Sequence, residues 1–274
     1  MLSILIERIR QGHRTIQFPQ EPPVLPDRFR GLPTLPLTEC AEGCKSCVDA
    51  CPSGALNRVV AANDKARLEI DMGRCLFCTD CQDACPQGQI RHTTEYRLAA
   101  RTREALVLRG QQYEPGGPLA PDLRKLLGRS LKLRQVSAGG CNACEADINV
   151  LGTVGWDLGR FGIQFVASPR HADGLLITGP VTENMRLALQ KTYDAVPPPK
   201  IVIAVGACAI SGGPFAGNPE VHDGAENFLP VDLFIPGCPP HPLTILDGLL
   251  RLLRVNRPLF QESAWLGYRV PVAR

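Results

Sequence analysis

The chain has 274 residues, 44% hydrophobic and 21% charged, with 26 Gly, 25 Pro and 12 Cys. That composition suits one large or two modest globular domains and excludes a disordered or fibrous chain. Its 30 basic and 27 acidic residues are interspersed and give a formal charge of only +3, which argues against a nucleic-acid partner.

Residues 1–14 place Leu2, Leu5, Ile6 and Ile9 at helical spacing among Glu7, Arg8, Arg10 and Arg14. This pattern predicts a short amphipathic helix whose apolar face docks on a partner or its own chain, or lies on a membrane surface beside a membrane subunit. The prolines Pro19, Pro22, Pro23, Pro26, Pro33 and Pro36 then predict an extended arm over a surface, since they fit neither helix nor interior strand. No apolar stretch reaches the roughly 20 residues that cross a bilayer, and no secretory leader pattern opens the chain. It therefore reads as soluble and not exported by the general secretory route, so thiolate metal sites are favoured over disulfides.

Residues 38–92 hold two similar blocks, CAEGCKSCVDACPSGAL and CLFCTDCQDACPQGQI, an internal duplication. Between them, LNRVVAANDKARLEID predicts two short strands around a polar turn. Residues 94–109 read as helical, with Arg91, Arg97, Arg101, Arg103 and Arg109 on a solvated face or a docking surface for a partner subunit. YEPGGPLAP follows as the best domain boundary. From 131 onward, LKLRQVS, IQFVAS, GLLITG, KIVIAVG and VDLFIPG suit buried parallel strands with helical crossovers. A last helix carries the stripe Leu243, Leu246, Leu249, Leu250 and Leu253, with Pro239, Pro240 and Pro242 at its start. The organisation expected is an arm at 1–37, a ferredoxin domain at 38–92, a helical segment and Gly/Pro linker at 93–130, a parallel-sheet domain at 131–256 and a tail at 257–274.

The second block, Cys75-x2-Cys78-x2-Cys81-x3-Cys85-Pro86, has the spacing that holds a [4Fe-4S] cluster with three close thiolates while the fourth reaches the neighbouring cluster. The first block, Cys40-x3-Cys44-x2-Cys47-x3-Cys51-Pro52, is one residue longer in its first gap. Gly43 is placed to absorb that residue, and Cys40 is the ligand least fixed by spacing. The crossing rule assigns Cys40, Cys44, Cys47 and Cys85 to one cluster, and Cys51, Cys75, Cys78 and Cys81 to the other. Paired C-x2-C motifs also bind zinc, which is the competing reading. These residues resemble the two-cluster ferredoxins, in particular the electron-transfer subunits of respiratory complex I and of membrane-bound hydrogenases.

Cys141, Cys144, Cys208 and Cys238 each follow a predicted strand through a small-residue turn. An open parallel sheet gathers its C-terminal strand ends along one edge. Four thiolates there suit one [4Fe-4S] cluster, with helix N-termini after Cys144 and Cys238 facing the anionic group; a four-cysteine zinc site or unrelated buried thiols remain open. The first strand-to-helix turn, SAGGCNACEADI, is no Ser/Thr-rich phosphate loop, and no G-x-G-x-x-G follows a strand, so neither flavin nor nicotinamide is expected. The fold class predicted is α/β: an α+β two-cluster ferredoxin domain, then a flavodoxin-like parallel-sheet domain carrying one [4Fe-4S] cluster. With three clusters of about −2 each, thiolates included, the formal +3 becomes about −3.

The strings GGCNACE, TGPVTENM, GACAISGG and PGCPPHP, within residues 131–255, resemble the complex I 20 kDa subunit family and its relatives, the small subunits of energy-converting [NiFe] hydrogenases, including the formate hydrogenlyase type. The resemblance implies one [4Fe-4S] cluster on Cys141, Cys144, Cys208 and Cys238, next to the active site of a larger catalytic subunit. It further implies membrane subunits met by the N-terminal arm, an external electron donor or acceptor subunit, and a peripheral location on the cytoplasmic side of the inner membrane. Cys141 and Cys144 are separated by two residues, which resembles the hydrogenase pattern, whereas complex I members carry adjacent cysteines. Nickel-free or quinone-reducing relatives are the alternative setting. Glu145 is a candidate for proton exchange near the partner's active site or for a dipole role at a helix N-terminus. His241 stands where complex I relatives usually carry Arg, either donating a hydrogen bond to the cluster or lying on the surface. Thr178, Gly179 and Pro180 shape the cleft. With no Ser-His-Asp, lysine-based or paired-carboxylate constellation, the expected product of this chain is a delivered electron.

Overall fold

A computed structural model describes residues 2–35, 40, 43–60, 66–110 and 113–254. The expected tail at 257–274, the turn at 61–65 and Pro36 lie outside the described residues.

Helix α1 (Leu2–Gln11) buries no residue, so its apolar side chains Leu2, Ile4, Leu5, Ile6 and Ile9 all face solvent. The arm after it runs extended and is tied down by the few amides its prolines leave. Ile16 N donates to Gly155 O at 2.9 Å, and Arg160 donates to the carbonyls of Ile16 and Phe18 at 3.0 and 2.8 Å. Phe18 is buried edge-on against Tyr96. Strand β1 (Pro33–Thr34) closes the arm by pairing antiparallel with a strand at Arg91–His92.

The N-terminal half continues with α2 (Ser46–Asp49), β2 (Leu56–Val60), β3 (Ala66–Asp71), α3 (Asp80–Asp83), β4 (Arg91–His92) and β5 (Val107–Arg109). Strands β2, β3 and β5 form an antiparallel sheet in which Leu56 faces Ile70 and Ile70 faces Leu108. These residues alternate with polar ones, which is the period that buries one sheet face.

The helix expected over 94–109 is not formed. Residues 95–99 have no regular structure, Ala100 forms an isolated bridge, the chain bends at 101–103, a 3-10 turn covers Glu104–Leu106, and β5 follows. The physical reason is tertiary: Ala100 and Phe234 exchange both backbone hydrogen bonds, at 2.9 and 2.8 Å, and the Tyr113 hydroxyl donates to Leu98 O at 2.5 Å. A helix would need those same groups internally. The arginines are likewise not a free face. Arg101 donates to Asp232 O at 2.6 Å, Arg103 to the Asp71 carboxylate at 2.7 Å, and Arg97 and Arg109 pair with Glu95 and Glu69.

The C-terminal half contains α4 (Pro121–Leu127), β6 (Leu131–Ser137), α5 (Ala143–Val150), β7 (Ile163–Phe165), β8 (Gly174–Thr178), α6 (Glu183–Ala195), β9 (Ile201–Val205), α7 (Ala207–Ser211), β10 (Leu233–Ile235) and α8 (Pro242–Leu253). Its five strands are all parallel, in the order β7-β6-β8-β9-β10, which is the flavodoxin-like doubly wound arrangement. Every residue of β8, β9 and β10 is buried, as expected of strands covered on both faces. Leu131, Leu176, Ile203, Val205 and Ile235 pack with α4, α5 and α8 on one face. Leu175, Ile177, Val202 and Phe234 pack on the other with α6, α7 and the N-terminal half, including Leu56, Met72 and Ile90. The two halves therefore meet in a continuous apolar core.

Candidate metal centres

The thiols gather into three neighbourhoods. Burial pushes the Cys40 thiol up, and the nearby charges of Cys44 and Cys85 push it further; burial and then Cys40 and Cys85 do the same to Cys47. In the second neighbourhood Cys75 is pushed up to about 12 by burial, with Cys81, Cys51 and Cys78 adding to it, and Cys81 to about 11. Cys51, Cys75, Cys78 and Cys81 line a common cavity with Leu56, Ile70 and His92. In the third, burial and the charges of Cys238 and Cys141 raise Cys208 to about 11, and Cys144 rises by burial, Cys208, Glu145, Cys238 and Cys141. Neighbouring sets also touch electrostatically: Cys81 feels Cys47, and Cys238 feels Cys78. The Cys75 set thus adjoins both of the others.

The local construction repeats between the two N-terminal blocks. Each Cys-Pro corner turns through a glycine with positive φ, Gly54 at 60° and Gly88 at 59°, and each glycine amide donates back to its cysteine carbonyl, at 3.3 and 3.0 Å. The turn aims backbone N–H groups at the sulfur; Ala55 N lies 3.2 Å from Cys51 Sγ. Burial pushes the Cys51 and Cys85 thiols up, but the amides of Ser53, Ala55 and Leu56, and of Gln89, Gln87, Ile90 and Gly88, outweigh it and hold both below the ordinary value. Before the second cysteine of each block the backbone is again left-handed, at Gly43 (φ 72°) and Phe77 (φ 55°). The extra residue of the first block thus enters where glycine makes this turn without strain.

The third neighbourhood is built by topology. Cys141 and Cys144 follow β6, Cys208 follows β9 and Cys238 follows β10, so all four lie beyond the C-terminal strand ends. The chain reverses direction around β6, which has β7 on one side and β8 on the other, and such a switch point opens a crevice. Glycines leave room for the sulfurs. A Cβ on Gly206 would sit 2.6 Å from Cys144 Sγ, and one on Gly213 2.9 Å from Cys208 Sγ. Cys141 and Cys238 are exposed, so this neighbourhood opens outward.

Glu145 is buried at the start of α5. Its Oε1 accepts from Ser137 Oγ and Thr178 Oγ1, each at 2.6 Å. Burial pushes the carboxyl up, but the two hydroxyls and its own amide outweigh it and hold the group below the ordinary carboxylate value. Thr178 therefore does more than shape the cleft, and Ser137 is a partner that sequence did not single out. His241 is exposed and caps α8, its Nδ1 accepting from Leu243 N at 3.1 Å, while its ring meets Phe29 and Trp156 edge-on. Its sequence signal was present, an acceptor just ahead of a proline-started helix.

Among the described residues, no three His, Cys, Asp or Glu side chains close tightly enough to hold a single ion. Zinc at about 2.3 Å from each sulfur would draw its thiolates together. Glycines clearing the sulfurs of Cys144 and Cys208 and backbone amides aimed at Cys51 and Cys85 fit the bulk and negative charge of multi-iron sulfur clusters.

Residues 141–252 match the family described as NADH ubiquinone oxidoreductase, 20 kDa subunit, and residues 39–89 match the 4Fe-4S dicluster domain. A probable membrane-bound hydrogenase subunit of Pyrococcus furiosus is 44% identical over 131 residues, 48% of this chain and 78% of that protein. An NADH-quinone oxidoreductase subunit of Clostridium beijerinckii is 47% identical over 114 residues, covering 41% and 68% of the two chains. Formate hydrogenlyase subunit 7 of Escherichia coli is 45% identical over 131 residues, 48% of this chain and 51% of the relative, so the match spans about half of that protein.

Proposed function

The chain belongs to the NADH ubiquinone oxidoreductase 20 kDa subunit family and carries a 4Fe-4S dicluster domain in the same polypeptide; from that premise we propose that it relays electrons through three [4Fe-4S] clusters to or from a large catalytic subunit. It is an electron-transfer subunit of the membrane-bound hydrogenase and complex I-like class. Within that class we read it as serving a [NiFe] hydrogenase of the formate hydrogenlyase type. The first cluster would be held by Cys40, Cys44, Cys47 and Cys85, the second by Cys51, Cys75, Cys78 and Cys81, and the third by Cys141, Cys144, Cys208 and Cys238.

The observation that supports this reading is the succession of the three thiol sets, the second adjoining the first through Cys81 and Cys47 and the third through Cys78 and Cys238. Such clusters supply one-electron transfer when bound, at potentials spanning about −700 to +450 mV, so either direction of flow is compatible with the fold. The chain's own part is positional. The core shared by both halves fixes the spacing of the thiol sets, and the outward opening at Cys141 and Cys238 presents the last set to the large subunit. In the same reading, 38–92 and 131–256 act as the two functional units.

Among the described residues no helix is long and apolar enough to cross a membrane. Helix α1, with its apolar face unburied, would instead hold the chain to a membrane subunit from the cytoplasmic side.

The test is metal analysis of the complex that co-purifies, without oxygen, with the tagged chain. About one nickel with at least about twelve iron and matching sulfide supports the hydrogenase reading. Iron at that level without nickel moves the assignment to a quinone-reducing, complex I-like enzyme, a setting favoured by the 47% identity to an NADH-quinone oxidoreductase subunit. Zinc without sulfide overturns both.

A further inference from the structure

The duplication of the cysteine blocks extends past the cysteines. Arg58 follows Cys51-Pro52 at the same offset as His92 follows Cys85-Pro86. The intervening positions correspond as well: the glycines Gly54 and Gly88 share a left-handed turn, and Leu56 and Ile90 are both buried. Arg58 lies on β2 and His92 on β4.

Each of the two side chains carries a buried nitrogen without a hydrogen-bond partner, Nε of Arg58 and Nδ1 of His92. Orphaned buried polar atoms are costly and uncommon; Arg134 Nε is another among the described residues, but Arg58 and His92 stand at equivalent positions of the duplication. Each also stands beside a different thiol set. The positive charge of Arg58 acts on Cys40, in the set completed by Cys85. His92 lines the cavity of Cys51, Cys75, Cys78 and Cys81, and its ring is 6.1 Å from that of Phe77, between Cys75 and Cys78. Exchanging the two blocks therefore exchanges the cysteine sets and, with them, Arg58 and His92. The pair differs in chemistry. Arg58 is a permanent cation, whereas His92 is an imidazole and carries no fixed charge.

We infer that Arg58 and His92 are equivalent positioning residues, each keeping one N–H for the sulfur of its adjoining cluster, and that they give the two clusters unequal potentials. A hydrogen bond to sulfur favours the more negative, reduced state and raises the potential; the Arg58 guanidinium adds a fixed positive charge. The inference rests on the proposed placement of two clusters in the N-terminal half.

The experiment is a redox titration, followed by electron paramagnetic resonance, of the full chain loaded with iron and sulfide. Signals are assigned from their loss of line shape in Cys40→Ser and Cys78→Ser. Arg58→Met is expected to lower the potential of the Cys40 cluster alone, and His92→Leu that of the Cys78 cluster alone. Each should shift its reduction equilibrium about tenfold, or about 59 mV for one electron. His92→Asn, which keeps an N–H at the δ position, should restore most of the loss; Arg58→Gln, which keeps the N–H at ε but not the charge, should restore part. If His92→Leu does not retain iron, His92→Asn is compared with the neutral His92→Met, which keeps bulk but offers no donor. A lower potential in the Met variant supports the inference, and equal potentials overturn it. Loaded variants with unshifted potentials, or shifts in the opposite cluster, also overturn it. Absence of iron and sulfide from the unsubstituted N-terminal half would instead defeat the cluster placement itself.

Discussion

The two halves of the chain gather thiols by opposite means. In the N-terminal half, eight cysteines between positions 40 and 85 are placed by tight turns, with positive φ at Gly43, Gly54, Phe77, Thr79 and Gly88. In the C-terminal half, four cysteines spread from 141 to 238 meet only because a parallel sheet brings the ends of β6, β9 and β10 to one edge. Turn-built sites depend on local backbone conformation, whereas an edge-built site depends on the register of the entire sheet. The first should tolerate distant packing changes, and the second should register them.

The largest effect expected from this difference is the loss of a whole cluster without loss of its neighbours. Cys208→Ala should reduce iron and acid-labile sulfide by about a third, the share of one cluster in three, and leave the N-terminal pair reducible. Spectroscopic loss of all three would show that the turn-built sites also depend on the edge.

A packing variant tests the same distinction from the core. Phe234 is 1% exposed and joins residues of both halves, while its backbone pairs with Ala100. Phe234→Ala should cost about 3–5 kcal/mol in denaturant unfolding, with the third cluster released first as denaturant rises. Simultaneous release of all clusters would make the halves one cooperative unit.

Two glycine substitutions sharpen the contrast at lower energy. A Cβ at Gly54 meets nothing within 4 Å, so Gly54→Ala should cost only the left-handed backbone strain, about 1–2 kcal/mol. Gly206→Ala carries a larger strain, because φ 90° with ψ 155° is open essentially to glycine alone, and also places a carbon 2.6 Å from Cys144 Sγ. Iron retention after mild oxygen exposure should therefore fall further for Gly206→Ala than for Gly54→Ala, and equal retention would remove both the steric and the backbone role given to Gly206.

What the sequence made legible follows the same division. The duplicated spacing, the two strands between the blocks, the apolar runs of the parallel sheet and the stripe on α8 are local patterns, and each forms where its pattern lies. The segment 94–109 misleads because its conformation is set by Phe234 and Asp232, remote in sequence, and by Tyr113 at the start of the linker. Its arginines are consumed by partners that no periodicity reveals. Ser137 and Thr178 converge on Glu145 only after β6 and β8 pair side by side, so their role is a consequence of the sheet. The surface position expected as one reading of His241 is the one it takes, and its capping role was within reach of local reasoning.

Glu145 gives the smallest effect and the finest test of how the edge is held. Its carboxylate stands at the N-terminus of α5 and accepts two hydroxyls. Gln in its place still accepts both, so only the charge is lost, and the expected cost at neutral pH is about 0.3–1 kcal/mol. The pH dependence gives the sign. Because the folded carboxyl lies below the ordinary value of 4.5, the unfolded chain binds the proton first, and the stabilisation is complete above 4.5 and fades as pH falls through the folded value. The difference in unfolding free energy between the unsubstituted chain and Glu145→Gln should accordingly shrink on acidification from pH 7 and vanish below the folded titration. If turnover in the complex drops much more than stability does, the carboxylate exchanges protons as well as anchoring the helix; if turnover follows stability, its work is confined to holding β6, β8 and α5 together beneath Cys144.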